Sequence, residues 1–173
     1  MQAKRIAVLA LLTGQALLMF MVEGLFPPLF LPGAKMGLSN IFTLLALAVL
    51  GPGQALALVV VRTVLGSFFA GSLSTLMYSL PAGVVSVLAS ALLLRLFWGR
   101  VSLTAVSITA AVLHNLTQNL MFCLITQTPQ MYAYMPYLAL IGVLAGFITG
   151  RVVHLVIRRL PTRLLAQILP PSA

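Results

Sequence analysis

The strongest constraint on this chain is the length of its uncharged apolar runs. No charged side chain falls between Ile6 and Val22, and further apolar stretches occupy about 36–50, 54–70, 75–98, 101–126 and 136–157. Within those later stretches the only charges are Arg62, Arg95 and Arg151. Apolar character is continuous along each run instead of alternating, which predicts helices and not the strands of a barrel. About 20 apolar residues in a helix cross a hydrocarbon layer about 30 Å thick. At 61% hydrophobic and 6% charged residues, the chain is too poor in polar groups to cover a water-soluble core. The expected fold is an all-α integral membrane protein, a compact bundle of about six transmembrane helices. A single transmembrane domain spans 1–160, and 161–173 forms a short interfacial or disordered tail. The second span, 36–50, is short.

Ten basic residues against one acid give a net charge of +9. In a soluble chain that excess would point to nucleic acid. Here Lys4, Arg5, Arg95, Arg100, Arg158, Arg159 and Arg163 sit at the ends of apolar runs. There they set orientation and meet anionic headgroups of the lipid bilayer, so nucleic acid is not an expected partner. Placing both termini in the cytoplasm gathers these charges on the inner side. Lys4-Arg5 ahead of an apolar run resembles a signal peptide, but no small-residue cleavage site leads into polar sequence, and we read the run as the first span. The lone cysteine, Cys123, lies within an apolar run and carries no disulfide framework.

One hydrophilic interruption stands out, from Glu23 to Asn40. It holds the only acid, three of the ten prolines (Pro27, Pro28, Pro32), and Lys35. Its prolines and glycines prevent a continuous span. Irregular backbone at a bilayer is tolerated where protein or water satisfies it, so the segment is expected to border a cavity on the external side as a lid.

Once the terminal basic residues are set aside, the strongly polar groups are Glu23, Lys35, Asn40, Arg62, His114, Asn115, Gln118 and Asn119. A charge near the bilayer centre costs several kcal/mol unless paired or hydrated, which makes Arg62 a candidate functional group. The alternative is a structural Arg62–Glu23 pair that fixes the bundle. His114 and Gln118 share one helix face, with Asn115 and Asn119 on a neighbouring one. One or two such groups act as interhelical glue; four in six residues read as a cavity wall. Lys35 and Arg62 outnumber Glu23, a balance that complements a carboxylate, phosphate or electron-rich aromatic ligand.

Small residues mark two helix faces for close approach. Ala3, Ala7, Ala10 and Gly14 form one on the first span, serving either a partner or packing inside the bundle, and Gly142, Gly146 and Gly150 form another on the last. Pro81-Ala82-Gly83 is expected to kink the fourth span. Residues 127–135 are expected to form an uncharged loop.

The string Pro32-Gly33-Ala34-Lys35-Met36-Gly37-Leu38-Ser39-Asn40-Ile41 resembles the signature of a bacterial membrane family known as heptaprenyl diphosphate synthase component I, or Gx transporter. Further matches are Glu23 with its following prolines, Arg62-x-x-Leu65-Gly66, Ser79-x-Pro81-Ala82-Gly83 and His114-Asn115-x-x-Gln118. The family in turn resembles the substrate-binding S-components of energy-coupling-factor (ECF) transporters. That resemblance implies a bacterial cytoplasmic (inner) membrane protein that captures a small-molecule substrate under the first external loop. It implies a transmembrane coupling protein and ATPase subunits as partners, with Ala3 and Ala7 meeting the coupling protein. Candidate substrate-binding residues are Glu23, Lys35, Asn40, Arg62, His114, Asn115 and Gln118, with no metal and no cofactor expected.

Synthesis of polyprenyl diphosphates needs magnesium held on paired aspartate-rich motifs. A chain with no aspartate and one glutamate is not expected to be that catalyst, or an enzyme. It also lacks a phosphate-binding GxxxxGK[ST] loop, so any ATP use falls to partners. The leading expectation is uptake of a small compound, anionic or related to prenyl groups and quinones. The alternative is a non-catalytic membrane accessory subunit of isoprenoid or quinone synthesis.

Overall fold

A computed structural model describes residues 2–25, 37–97 and 99–160. Among them are six α-helices: α1 (Gln2–Leu25), α2 (Ser39–Val49), α3 (Pro52–Phe69), α4 (Leu73–Leu96), α5 (Leu103–Thr126) and α6 (Met135–Arg159). Five of these elements are long and apolar enough to cross a membrane. The exception is α2, whose 11 residues reach only about 16 Å. It does not lie at the edge. It packs against α1, α3, α4 and α6, so the shortest helix is the one most enclosed.

Local chemistry sets most helix ends. Pro52 opens α3, where its missing N–H and fixed φ fit the first turn. Beyond α3, Gly71 adopts φ +63° and Ser72 N–H bonds to Ser67 C=O, closing the helix in left-handed geometry. The Ser102 side chain accepts from Ala105 N–H at 3.1 Å and caps α5. The expected loop at 127–135 is instead a left-handed Gln127 cap followed by a 3₁₀ turn, Pro129–Tyr134, running straight into α6. Pro129 at the start of that turn supplies the helical φ that composition alone did not reveal. Pro81 lies inside α4, which continues through it as one helix.

Close packing follows the small residues. A Cβ added at Gly146 would sit 2.5 Å from Ile108 Cα, and one at Gly150 would sit 2.6 Å from Thr104 Cα. The glycine ladder of α6 therefore seats that helix directly on the α5 backbone, as expected. Gly66 receives the Phe20 ring and Gly83 receives Val59, joining α1 to α3 and α3 to α4. Leu50, Leu58, Val59, Val106 and Val153 form the tightest part of the core. Outward-facing Leu11, Phe68, Leu140 and Leu144 suit a lipid environment.

Helix ends rich in basic residues meet at one end of the bundle. Arg5 donates from Nη2 to the Leu50 carbonyl at 2.9 Å, placing the start of α1 at the end of α2. On the same side an apolar groove of about 470 Å³ runs between α2 and α4, lined by Leu47, Pro52, Leu88, Leu92 and Leu94 with Arg95. The 23–40 interruption joins the opposite ends of α1 and α2.

Candidate functional site

The site is built around the start of α2. The first residues of any helix have backbone N–H groups without partners inside the helix. Here the Glu23 carboxylate, from the end of α1, accepts from Leu38 N–H at 2.6 Å and from the Ser39 hydroxyl at 3.4 Å. A negative charge at a helix N-terminus is favourable, which explains why the sole acid of the chain is here. One residue further on, Asn40 Oδ1 accepts from Arg62 Nη2 at 2.9 Å.

Arg62 is 3% exposed. Among the described residues its Nε and Nη1 have no hydrogen-bond partner. Glu23 attracts it electrostatically, yet the two exchange no hydrogen bond. The expected structural alternative, a direct Arg62–Glu23 pair, is thus not what the structure contains; the two charges are linked through the first turn of α2. A guanidinium presents five donors in a rigid fork that matches a carboxylate or phosphate. Leaving donors of a buried cation unsatisfied is costly, so a group of this kind is suited to an anion or water that accepts from it. Ser67 Oγ, Ser79 Oγ and Gln118 Nε2 are also buried without partners among the described residues. They lie on α3, α4 and α5 toward the end of the bundle where the 23–40 interruption lies.

Asn40 is also part of a second feature. Below it, a narrow cavity of about 30 Å³ runs between α2, α4, α5 and α6. Asn40, Thr43, Ser86, Ser107, Asn115 and Thr149 contribute its polar walls, with Leu44, Leu47, Val87 and alanines between them. The volume suits a water molecule or two. Thr43 Oγ1 is buried in this wall without a partner.

The expected site residues separate on this geometry. Glu23, Asn40 and Arg62 come together. Asn115 joins them at the cavity, but its amide nitrogen already donates to the Leu138 carbonyl at 3.1 Å. Asn119 likewise donates to the Met131 carbonyl at 3.0 Å. These two asparagines tie α5 to α6 and to the 3₁₀ turn, the glue role that one or two such groups commonly take. Gln118 is buried and His114 half-buried; neither lines the narrow cavity. Lys35 and the proline-rich lid lie outside the described residues. Ala3, Ala7, Ala10 and Gly14 are exposed, so this small-residue face does not pack inside the bundle. Sequence reasoning missed Thr43, Ser86, Ser107 and Thr149. Asn40 with Thr43, and Ser79 with Ser86 and Ser90, do fall at helical spacings on one face each, the signal that was available.

These features define a multi-pass membrane protein with a polar, partly unsatisfied interior. The profile of the family described as heptaprenyl diphosphate synthase component I matches residues 12–156, which is 145 of the 173 residues, and the chain belongs to that family. Neither the curated proteins nor the solved structures yield a match.

Proposed function

We propose that this protein is a substrate-binding membrane subunit, similar in role to an ECF S-component, that takes up a small anionic compound with energy from partner ATPases. The observation that carries the reading is Arg62, nearly fully buried, whose Nε and Nη1 have no acceptor among the described residues. An anion bound there would satisfy both nitrogens and balance the charge that Glu23, engaged with α2, does not fully offset. The ligand enters from the external side beneath the 23–40 segment, where Lys35 adds a second cation. Both termini then lie in the cytoplasm, in a bacterial inner membrane. The exposed Ala3/Ala7 face is available to a transmembrane coupling protein. The role is one of binding and transport, without catalysis by this chain.

The family's description favours a second reading, an accessory subunit of heptaprenyl diphosphate synthesis. The outward-facing groove beside Arg95 is the feature suited to it, since an apolar channel with a cation at its rim matches an isoprenoid chain ending in a diphosphate. Copurification separates the two. Coupling-protein and ATPase subunits recovered with the tagged chain support uptake; recovery of a soluble prenyl synthase, with loss of prenyl-chain synthesis in broken membranes on deletion, supports the accessory role.

A further inference from the structure

We infer that the substrate is a compact organic anion that also carries neutral hydroxyl or amide groups, held by its anionic end at Arg62 and by its neutral end in the narrow seam below Asn40. This rests on the proposed binding role of Arg62 and adds the chemistry of the rest of the molecule.

Asn40 is the hinge of the inference. Its Oδ1 accepts from Arg62 Nη2 at 2.9 Å, and the same residue lines the seam, so the guanidinium and the cavity share one wall. A ligand bridging the two need not be long. From Asn40 to Leu47 along α2, and from Asn115 to Ser107 along α5, the seam descends about 10–12 Å at 1.5 Å per residue.

Its chemistry is uniform in one respect. Among the described residues the polar side chains lining it are hydroxyls and carboxamides, with no charged side chain. Such a wall discriminates by hydrogen bonding. A site built to bond a hydroxyl or amide rejects an analogue without one, because its own buried groups are left without partners. Thr43 already shows that condition: its Oγ1 is buried against the seam with no partner among the described residues. An isoprenoid or quinone tail would leave Thr43, Ser107 and Thr149 in contact with hydrocarbon while satisfying none of them. The seam is also too narrow for a branched chain without wide separation of α2 from α5, whereas one or two waters there are readily replaced by hydroxyl or amide groups of a ligand.

The experiment uses the full chain in nanodiscs and short carboxylates in matched pairs: hydroxy acids and N-acyl amino acids against alkanoates of equal chain length, with geranylgeranyl diphosphate as the isoprenoid probe. Binding is read by ligand-induced thermal stabilisation. In the wild type, at least one hydroxylated or amide-bearing acid should bind roughly fivefold to tenfold better than its alkanoate partner, as expected for one or two hydrogen bonds inside a membrane protein. The preference should vanish in the combined variant Thr43→Val with Thr149→Val, and return in Thr43→Ser with Thr149→Ser, which keeps the hydroxyls and shows that the site is intact. A wild type with no preference, whether it binds both members of each pair or neither, overturns the inference. So does a preference that survives both valines, or geranylgeranyl diphosphate whose binding changes with the same two valines, which would seat the isoprenoid in the seam. Loss of the proposed anion anchor is a separate result: Arg62→Gln that still binds the hydroxy acid with wild-type strength contradicts the role of Arg62 and leaves the seam preference standing.

Discussion

Arg62 and Asn40 meet through a single hydrogen bond, Nη2 to Oδ1 at 2.9 Å, and that bond uses one corner of a guanidinium whose Nε and Nη1 have no partner among the described residues. The neutral asparagine orients the cation without neutralising it. Arg62→Lys should therefore weaken ligand binding by at least about tenfold, since a lysine keeps the charge but loses the planar fork. Arg62→Gln should weaken it further. Equilibrium binding on purified protein checks the order.

Glu23 is expected to act on stability before it acts on ligand. Its carboxylate holds Leu38 N–H and the Ser39 hydroxyl at the start of α2. Glu23→Gln keeps an acceptor but removes the charge, and should cost up to about 1.5–3 kcal/mol, the range for hydrogen bonds to a charged group. Because Glu23 also attracts Arg62, the cost should shrink when Arg62→Gln is already present. A double-mutant cycle by thermal unfolding in detergent measures that coupling.

Much of this arrangement was legible beforehand, and the parts that were not had a physical reason. Apolar runs and terminal arginines announced the helices, because charge is so costly in lipid that its absence is informative. Arg62 and Asn40 stood out for the same reason. Ser86, Ser107, Thr43 and Thr149 did not, since a single hydroxyl in a membrane helix can bond its own backbone and is ordinary there. Ser90 does so, donating to the Ser86 carbonyl at 2.8 Å. The role of Asn115 and Asn119 was ambiguous in sequence because glue and ligand contact demand the same side chain; the structure shows each amide nitrogen bonded to a carbonyl, while Asn115 still lines the seam.

The two glycine-containing faces should respond oppositely to added bulk. Gly146→Ala places a methyl 2.5 Å from Ile108 Cα, against backbone that cannot give way, and should destabilise the bundle by about 1–3 kcal/mol. At Gly14 nothing lies within 4 Å of an added Cβ, so Gly14→Ala should leave the unfolding temperature unchanged or slightly raised. Thermal unfolding of the two variants side by side tests the contrast.

Ala7→Leu should separate fold from assembly. Ala7 is exposed on α1, and the larger side chain has room on the isolated protein. It should leave folding and ligand binding intact while abolishing copurification of the proposed coupling protein, because close helix contact there requires small side chains. Unchanged copurification would remove the partner role from this face.

The most direct test of the central claim is native mass spectrometry of the purified chain, wild type beside Arg62→Gln, released from the same membranes. The wild type should carry a small bound anion, and Arg62→Gln should have lost it while keeping its lipids and its unfolding temperature within a few degrees. An anion retained equally by both, or a wild type that carries a neutral compound in the same site, would contradict the account.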